Sequence, residues 1–173
     1  MIKTILLLIC LVITVANAQA QTISQSSDPE TLQGLKGVRL VVMLGRAEAL
    51  EAERRPVLQK LLQEDAEAKF SKADIPLLKF AQDLENAPGS PTFFLWVTLD
   101  KPNGHVFPVM TKSNLLQKAR LSRDSSVELS VSTWESGSIG VYDIKDWDEL
   151  RRQVGSQIDE FIKDYLTANP KLK

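Results

Sequence analysis

Two kinds of apolar spacing divide the second half of the chain. Along 92–100, 105–121 and 127–134, one set of alternate residues is largely apolar, a period of two that is typical of strands with one buried face. From position 147 to 166 the spacing changes to three and four, which predicts one amphipathic helix. The helical stripe consists of Trp147, Leu150, Val154, Ile158, Phe161, Ile162, Tyr165 and Leu166.

The first half of the chain adds one strand and one helix. Residues 38–44 are mostly apolar and include three valines, with a glycine on each side, which predicts a strand covered on both faces. Pro56 suits the first turn of a helix whose apolar residues recur at spacings of three and four. The order β-α-β-β-β-(β)-α predicts one α+β domain over residues 31–170, with a mainly antiparallel sheet and two main helices packed on one face.

The first twenty residues have the layout of a secretory signal peptide. A lysine at position 3 precedes the apolar run 5–15, and alanines follow at positions 16, 18 and 20. A membrane span needs about 20 apolar residues, and this run is shorter. We expect a signal peptide of residues 1–18 with cleavage near Ala18, then a flexible tether of residues 19–30 that is rich in Gln and Ser. This layout predicts export, to the periplasm or to the medium.

Composition limits the chemistry of the exported chain. Cys10 is the only cysteine and lies inside the predicted signal peptide, so the mature chain has no thiol for a disulfide, a nucleophile or a metal ligand. Charges nearly balance, with 21 Lys and Arg against 22 Asp and Glu. Bulk attraction to nucleic acid or to an anionic membrane is therefore not expected. We predict no cofactor and no transmembrane segment in the mature chain, and the oligomeric state stays open.

The stretch LSVSTWESGSIGV sets a tryptophan directly before serines and glycines. A phosphate-binding loop would lie between a strand and the start of a helix. Gly137 and Gly140 instead lie between two strand-like runs. The spacing favours a hairpin turn at these glycines, followed by a short final strand at residues 139–142.

Two further groups of polar residues are weak candidates for chemistry. Asp143, Asp146, Asp148 and Glu149 are close in sequence, but they lack the alternate spacing and the central Gly of a calcium loop. His105 is the only histidine and follows a tight Pro-Asn-Gly turn, where an exposed side chain is expected. We therefore assign no catalytic, cofactor-binding or metal-ligating residue, although a Ser, His and Asp arrangement assembled in space stays open.

The sheet face opposite the core carries the most informative side chains. On the alternating strands, one face is apolar, whereas the other carries large aromatic residues among basic ones. Such residues are enriched in interfaces, so this face is the candidate partner surface. Two structural alternatives stay open: a bulge that turns the last tryptophan inward, or a helix or the tether lying over the face. The candidate surface consists of Phe94, Trp96, Lys112, Lys118, Arg120 and Trp134.

Six short motifs follow one another along the chain. They read GVRLVV, DAEAKFSKADI, PGSPTFFLWV, LSRD, STWESGSIG and QIDEFIKDYLTANP. Their order resembles a family of exported bacterial proteins of uncharacterised function, over most of residues 35–170. Where the family has Gly this chain has Asp74, and Asp tolerates the left-handed backbone of a helix C′ position. The order of elements is also similar to small periplasmic domains such as the N-terminal domain of TolB-like proteins, an analogy of fold that transfers no function.

Three hypotheses of function follow, in order of preference. The first is a non-enzymatic exported domain that docks on a protein partner in the cell envelope. The second is a binder of a small molecule or lipid, with a pocket between the sheet and the C-terminal helix and loose packing around Trp147, Ile158 and Phe161. The third is a hydrolase, which would need His105 within hydrogen-bond reach of a serine and an acid.

Overall fold

The structure, a computed structural model, describes residues 21–23, 29–47, 50–143 and 147–170. Its strands form one five-stranded sheet in the order β1-β5-β4-β3-β2. Strands β2 and β3 are parallel, and the remaining neighbours are antiparallel. This confirms the predicted α+β class. The elements are β1 (Gln21–Ile23), a 3₁₀ helix (Pro29–Leu32), β2 (Arg39–Ala47), α1 (Arg54–Lys72), α2 (Ala81–Asn86), β3 (Thr92–Leu99), β4 (Val106–Leu121), β5 (Asp124–Asp143) and α3 (Trp147–Ala168).

The two long helices, α1 and α3, lie on the same face of the sheet. Phe70 of α1 and Phe161 of α3 both pack on Phe93 of β3, with ring centroids 5.5 and 4.6 Å apart. Arg151 of α3 donates two hydrogen bonds, of 2.7 and 2.8 Å, to the carboxylate of Asp65 on α1. The predicted pair of main helices on one face is therefore confirmed. No helix in the part of the chain that the structure describes is long and apolar enough to cross a membrane.

The end of α1 explains how the chain returns to the sheet. Asp74 has a φ of 56°, the left-handed conformation expected at this position. The backbone amide of Ile75 then donates to the carbonyl of Phe70 at 3.1 Å, and the Ile75 side chain is buried. This is the Schellman arrangement, which satisfies the last carbonyls of a helix and buries an apolar residue just beyond it.

Strands β4 and β5 are much longer than their neighbours. They contain 16 and 20 residues, whereas β3 pairs with β4 only from Val109 to Leu116. Beyond Leu116 the two strands continue as a two-stranded ribbon that reverses at the turn of Ser122 and Arg123. We call residues 117–131 the arm. This turn lies in the interval between the alternating segments 105–121 and 127–134.

The predicted hairpin turn at Gly137 and Gly140 is wrong. Both glycines lie within β5, where they pair with Lys112 and Val109 of β4, so no separate strand follows at residues 139–142. Gly140 faces the helices, and a Cβ there would stand 2.8 Å from the ring of Tyr142. The glycine is therefore required by the close approach of that ring, a role that glycine often has inside strands.

Two strands at the edges of the sheet differ from their predictions. Gln21–Ile23 belong to the predicted tether, yet they pair with β5 as the edge strand β1. The prediction that residues 38–44 are covered on both faces is wrong, because neither α1 nor α3 covers the second face and Met43 is exposed there. The predicted signal peptide lies outside the described residues.

The beginning and the end of the domain are joined directly. The side chain of Asn169 accepts a 2.7 Å hydrogen bond from the amide of Gly34 and donates one of 2.8 Å to the carbonyl of Leu32. The Tyr165 hydroxyl donates to the carbonyl of Leu35 at 2.7 Å. These bonds attach residues 32–35 to the last turns of α3.

Candidate functional site

The sheet face without long helices is the candidate site, and we call it the open face. Along β3 the burial alternates: Phe93, Leu95 and Val97 are fully buried under the helices, whereas Phe94 and Trp96 point to the opposite side and are partly exposed. Residues that pair directly across neighbouring strands share a face. The strand register therefore assigns to the open face Val41, Met43, Phe94, Trp96, Thr98, Val106, Pro108, Met110, Lys112, Asn114, Glu135, Gly137, Ile139 and Val141.

Trp96 is the largest side chain on the open face, and it is 42% exposed. Its indole Nε1 donates a 3.2 Å hydrogen bond to Oγ1 of Thr98 on the same strand. The ring reaches over β2, where a Cβ at Gly45 would overlap the indole nitrogen. Gly45 thus lets the tryptophan lie against the sheet, so its position is fixed in the free protein.

Apolar side chains continue from Trp96 across the open face. Met110 on β4 and Ile139 on β5 form a cross-strand pair and are 47% and 51% exposed. Val141, one step further along β5, is also exposed, as is Val106 near the start of β4. Single exposed apolar residues are ordinary, whereas apolar residues exposed on neighbouring strands of one face make that face a candidate binding surface.

One ion pair lies beside this apolar region. The Lys112 amine is 3.0 Å from Oε2 of Glu135 on the neighbouring strand. The pKa of Glu135 is lowered from its ordinary value, mainly by a hydrogen bond from the Ser132 hydroxyl and then by Lys112. The open face therefore carries a cation and an anion that neutralise one another.

Gly137 leaves a shallow depression in the open face. It occupies the same cross-strand row as Trp96 and Lys112, with Lys112 in the middle. Because glycine has no side chain, a hollow of about 180 Å³ remains, lined in part by Met110 and Ile139. A protruding apolar side chain of a partner would fit there.

Trp134 does not lie on the candidate surface in the structure, so its predicted position is wrong. Leu115 pairs with Trp134 and Leu116 pairs with Ser132, so Thr133 is an extra residue in β5. This is a β-bulge, which shifts the alternation of the strand by one residue. Trp134 consequently points towards the helices, as one of the two structural alternatives anticipated.

Trp134 is part of the aromatic core. It is 1% exposed, and its ring lies 5.9 Å from that of Phe93 and 5.1 Å from that of Phe161. The open face therefore includes Phe94, Trp96 and Lys112 of the predicted surface and excludes Trp134.

The other two predicted basic residues, Lys118 and Arg120, lie on the arm. They share the open-face side of the ribbon with Glu128, which is within 3.2 Å of the Lys118 amine and 3.8 Å of the Arg120 guanidinium. Their charges are therefore partly compensated by the same carboxylate. They extend the open face beyond its apolar region without making it strongly basic.

The other side of the arm is apolar but is not buried under the helices. Val127, Leu129 and Val131 continue the core face of β5, but α1 and α3 do not cover them there. Leu129 is 45% exposed, and Val127 is exposed as well. The arm thus projects from the body of the domain and carries a small apolar surface of its own.

A buried polar cluster lies between the sheet and α3. Gln157 of α3 accepts a 2.8 Å hydrogen bond from Ser113 and donates to Thr111 and, at 3.1 Å, to Ser138. The Thr111 and Ser138 hydroxyls are 2.7 Å apart. Every fully buried polar side-chain atom among the described residues has a partner, so this cluster serves to fix α3 on the sheet.

The pocket expected between the sheet and the C-terminal helix is filled by side chains. Ile158 and Phe161 are fully buried, and the ring of Trp147 lies 5.3 Å from that of Phe107. The predicted loose packing is therefore wrong. An apolar groove of about 400 Å³ occurs instead between α1 and the start of α3, lined by Leu50, Arg54, Val57, Leu58, Leu61, Trp147, Asp148 and Arg151.

His105 and the acidic residues do not assemble into a reaction centre within the described part of the chain. His105 is exposed in the β3–β4 turn, without a hydrogen bond or ion pair to another described residue. Of the acidic residues considered for calcium, Asp146 lies outside the described residues. Among the residues that the structure describes, no group of three or more His, Cys, Asp or Glu could hold a metal ion.

Sequence reasoning missed the apolar half of the open face, namely Met43, Met110, Ile139 and Val141. Part of the signal was available in residues 138–141, where small and large side chains alternate through Gly140. Reading the glycines as a turn removed Ile139 and Val141 from the sheet.

Comparisons with known proteins give no family for this chain. No family model matches it, and no curated protein matches it. Two solved structures of PelC from Paraburkholderia phytofirmans, both described as dodecamers and one of them a single-residue variant, align with 87% of this chain at 13% identity. The alignments cover 97% and 98% of the two PelC chains, with TM-scores of 0.38 and 0.39. Similarity at this level carries no argument about fold or function, and the resemblances drawn from the sequence stay predictions.

Proposed function

We propose that this protein is a non-enzymatic exported domain that binds a protein partner in the cell envelope through the open face. The single observation that carries the proposal is the contiguous exposure of Trp96, Met110 and Ile139 on a sheet face that neither long helix covers. Export rests on the N-terminal layout of charged, apolar and small residues.

The chemistry of the open face favours a protein over other partners. Tryptophan and methionine are enriched in protein interfaces relative to the rest of the surface. Nucleic acid or anionic lipid would require an uncompensated positive surface. Lys112 is paired with Glu135, and Lys118 and Arg120 share Glu128, so the face supplies little net positive charge.

The test is crosslinking in intact cells followed by recovery of the tagged protein from the envelope. A Trp96→Ala/Met110→Glu variant removes the anchor and places a charge in the apolar region. Leu166→Glu, at an exposed apolar position of α3, is the matched control. Wild type and control should recover the same partner, and the face variant should lose it while its circular dichroism spectrum and unfolding midpoint stay close to those of the wild type.

If the face variant retains every partner that the wild type recovers, the open face is not the binding surface. Loss of the partner from the Leu166→Glu control as well would also count against the proposal, because the effect would then not be specific to the open face.

The groove between α1 and α3 supports a second candidate function, the binding of a small apolar molecule. The groove has a volume of about 400 Å³. Small-molecule sites usually have volumes of about 300–1,000 Å³. Trp147 lies in its wall, so an apolar ligand should change tryptophan emission. A fatty acid titration in which emission changes for the wild type but not for Leu61→Arg would support this function, and no change with the wild type would exclude fatty acids.

A further inference from the structure

We infer that the partner docks as an extended peptide segment that adds a strand to the outer edge of β2, next to the open face. The inference rests on the proposed function, because it names how a partner of that surface is held. It is carried by the direction of the main-chain hydrogen-bonding groups of β2 and by the side chains on either side of them.

Alternate residues of β2, the last strand of the sheet, direct their main-chain groups away from it. The amide of Arg39 donates to the carbonyl of Pro91 at 2.9 Å, as the parallel pairing with β3 requires. In a parallel ladder the N–H and C=O of one residue point to the same neighbour, and those of the next residue point the other way. Leu40, Val42 and Leu44 therefore direct their groups to the outer edge, about 7 Å apart.

The beginning of this edge already pairs with an extended segment of the chain. The amide of Val38 donates to the carbonyl of Pro76 at 3.0 Å, and its carbonyl accepts from the amide of Leu78 at 2.9 Å. The bridge between Val38 and Leu77 is isolated, and the chain then turns into α2. The outer edge is therefore suited to β pairing, and its continuation along residues 40–44 is not paired with another described strand.

A side chain of α1 occupies one acceptor on this edge. Nε2 of Gln59 donates to the carbonyl of Val42 at 3.0 Å. The amides of Leu40, Val42 and Leu44 donate to no other described residue. Residues 40–44 contain no proline and no charged side chain, the features with which proteins usually protect an exposed edge. An extended peptide satisfies such a row of groups with its own main chain.

The surroundings of the edge define the chemistry of the segment. Residues opposite one another on neighbouring strands share a face, so alternate side chains of an added strand would lie beside Val41 and Met43 on the open face. Met43 is exposed there, and the Trp96 ring lies over β2 at Gly45, which favours apolar side chains at these positions. Arg39 is exposed and has no ion pair with another described residue, which favours an acidic residue at the corresponding end of the segment.

A second copy of this chain fits the edge less well. Paired antiparallel along β2, it would bring its own α1 and its own Gln59 to the same side of the joint sheet, where Gln59 already reaches the edge. A single extended segment brings no helix. The occupant is therefore a segment of another protein, with apolar residues at alternate positions.

Amide hydrogen exchange, followed by NMR on the full chain, tests this docking. The probe is an acetylated and amidated peptide of alternating valine and threonine with a glutamate at each end. Without peptide, the amides of Leu40, Val42 and Leu44 should exchange faster than those of Val41 and Met43, which are directed to β3. Saturating peptide should slow the first three. The inference is overturned if millimolar peptide leaves these amides unprotected, or if protection appears without peptide and rises with protein concentration, which would assign the edge to a second copy.

Three variants test the contribution of single groups to peptide affinity, measured by NMR titration. Gln59→Ala frees the carbonyl of Val42 and should tighten binding by about two- to tenfold, the equivalent of one hydrogen bond. Gln63→Ala is the matched control, since this side chain bonds Glu67 on the same helix, and it should leave affinity unchanged. Leu40→Pro removes an outward amide without removing a bond to β3 and should weaken binding, with folding checked by circular dichroism. Equal affinities for wild type, Gln59→Ala and Leu40→Pro would overturn the inference.

The outcomes separate the inference from the proposed function. If the peptide does not protect the edge, but the Trp96→Ala/Met110→Glu variant loses its envelope partner, the inference is overturned and the proposed function stands. If the peptide protects the edge while that variant retains every partner, docking at the edge is supported and the open face is not the binding surface. If the peptide does not protect the edge and the variant retains every partner, both are overturned.

Discussion

The indole Nε1 of Trp134 donates a hydrogen bond to Oδ2 of Asp164 at 2.9 Å. The bond crosses from β5 to α3, so it holds the C-terminal helix on the sheet at the position of the bulge. A buried indole N–H needs an acceptor, and Asp164 supplies one that retains access to solvent. The packing of the ring and the hydrogen bond of its indole N–H therefore both favour the inward orientation of Trp134.

Trp134→Ala should strongly destabilise the protein. The substitution removes a fully buried ring from the aromatic core, and such changes cost about 3–5 kcal/mol. The free energy of unfolding, measured in urea, should fall by this amount. Trp96→Ala is the matched control, expected to cost about 1 kcal/mol because its ring is partly exposed. Similar losses for the two variants would contradict the burial of Trp134.

Gln157→Leu should destabilise the protein although it adds apolar character to a buried site. The change leaves the Ser113 hydroxyl without its acceptor, and an unsatisfied buried polar group costs about 1–3 kcal/mol. The double variant Ser113→Ala/Gln157→Leu removes both members of that bond and should recover part of the loss. Chemical denaturation of both variants checks this, and no recovery in the double variant would mean that the polar cluster does not act through this bond.

Glu135 should stabilise the folded protein at neutral pH, and this contribution should be lost in acid. Its pKa is lowered below the ordinary value of 4.5 by Ser132 first and by Lys112 second. A lowered folded-state pKa stabilises the protein above the unfolded-state value, and this contribution is lost as pH falls through the folded-state pKa. Because the ion pair is partly exposed, we expect this contribution to the free energy of unfolding to be below about 1 kcal/mol.

The titration of the Glu135 carboxyl carbon, followed by NMR, tests both causes. Ser132→Ala and Lys112→Ala should each raise the pKa of Glu135, because each removes a group that lowers it. An unchanged pKa in either variant would show that the group removed there does not stabilise this carboxylate.

Leu129→Ala should leave stability almost unchanged, in contrast to Leu115→Ala. Leu129 is exposed on the arm, where substitutions usually alter stability by less than about 0.5 kcal/mol. Leu115 is fully buried, and its truncation should cost about 2–5 kcal/mol. Thermal unfolding of both variants is the measurement. A large loss for Leu129→Ala would mean that another part of the chain covers the arm.

The sequence predicted the features that depend on regular spacing. The stripe from Trp147 to Leu166 became α3 because three to four residues separate its members, and Pro56 lies in the first turn of α1. The alternation along 92–100 separated the two faces of β3 correctly, including the exposed side of Trp96. These signals are local, and the packing reinforces them.

The features that were missed depend on contacts distant in sequence. A bulge at Thr133 has no composition of its own, and it is favoured by the core around Phe161 and the acceptor on Asp164, both on another element. Gly140 resembles a turn residue until its pairing with Val109 of β4 places it inside the sheet. The alternation accordingly assigned Phe94 and Trp96 to the face away from the helices, where they lie, and misplaced Trp134, which follows the bulge.

The attachment of residues 32–35 to the last turns of α3 has a consequence for synthesis. Ribosomes produce chains from the N-terminus, and segments fold as their partners emerge. Leu32 and Leu35 are among the first core residues made, yet Tyr165 and Asn169, which hold that segment by hydrogen bonds, are among the last. The domain therefore cannot close until Tyr165 and Asn169 have been synthesised, and a truncation that removes Asn169 and the final turn of α3 would leave residues 32–35 without these hydrogen bonds.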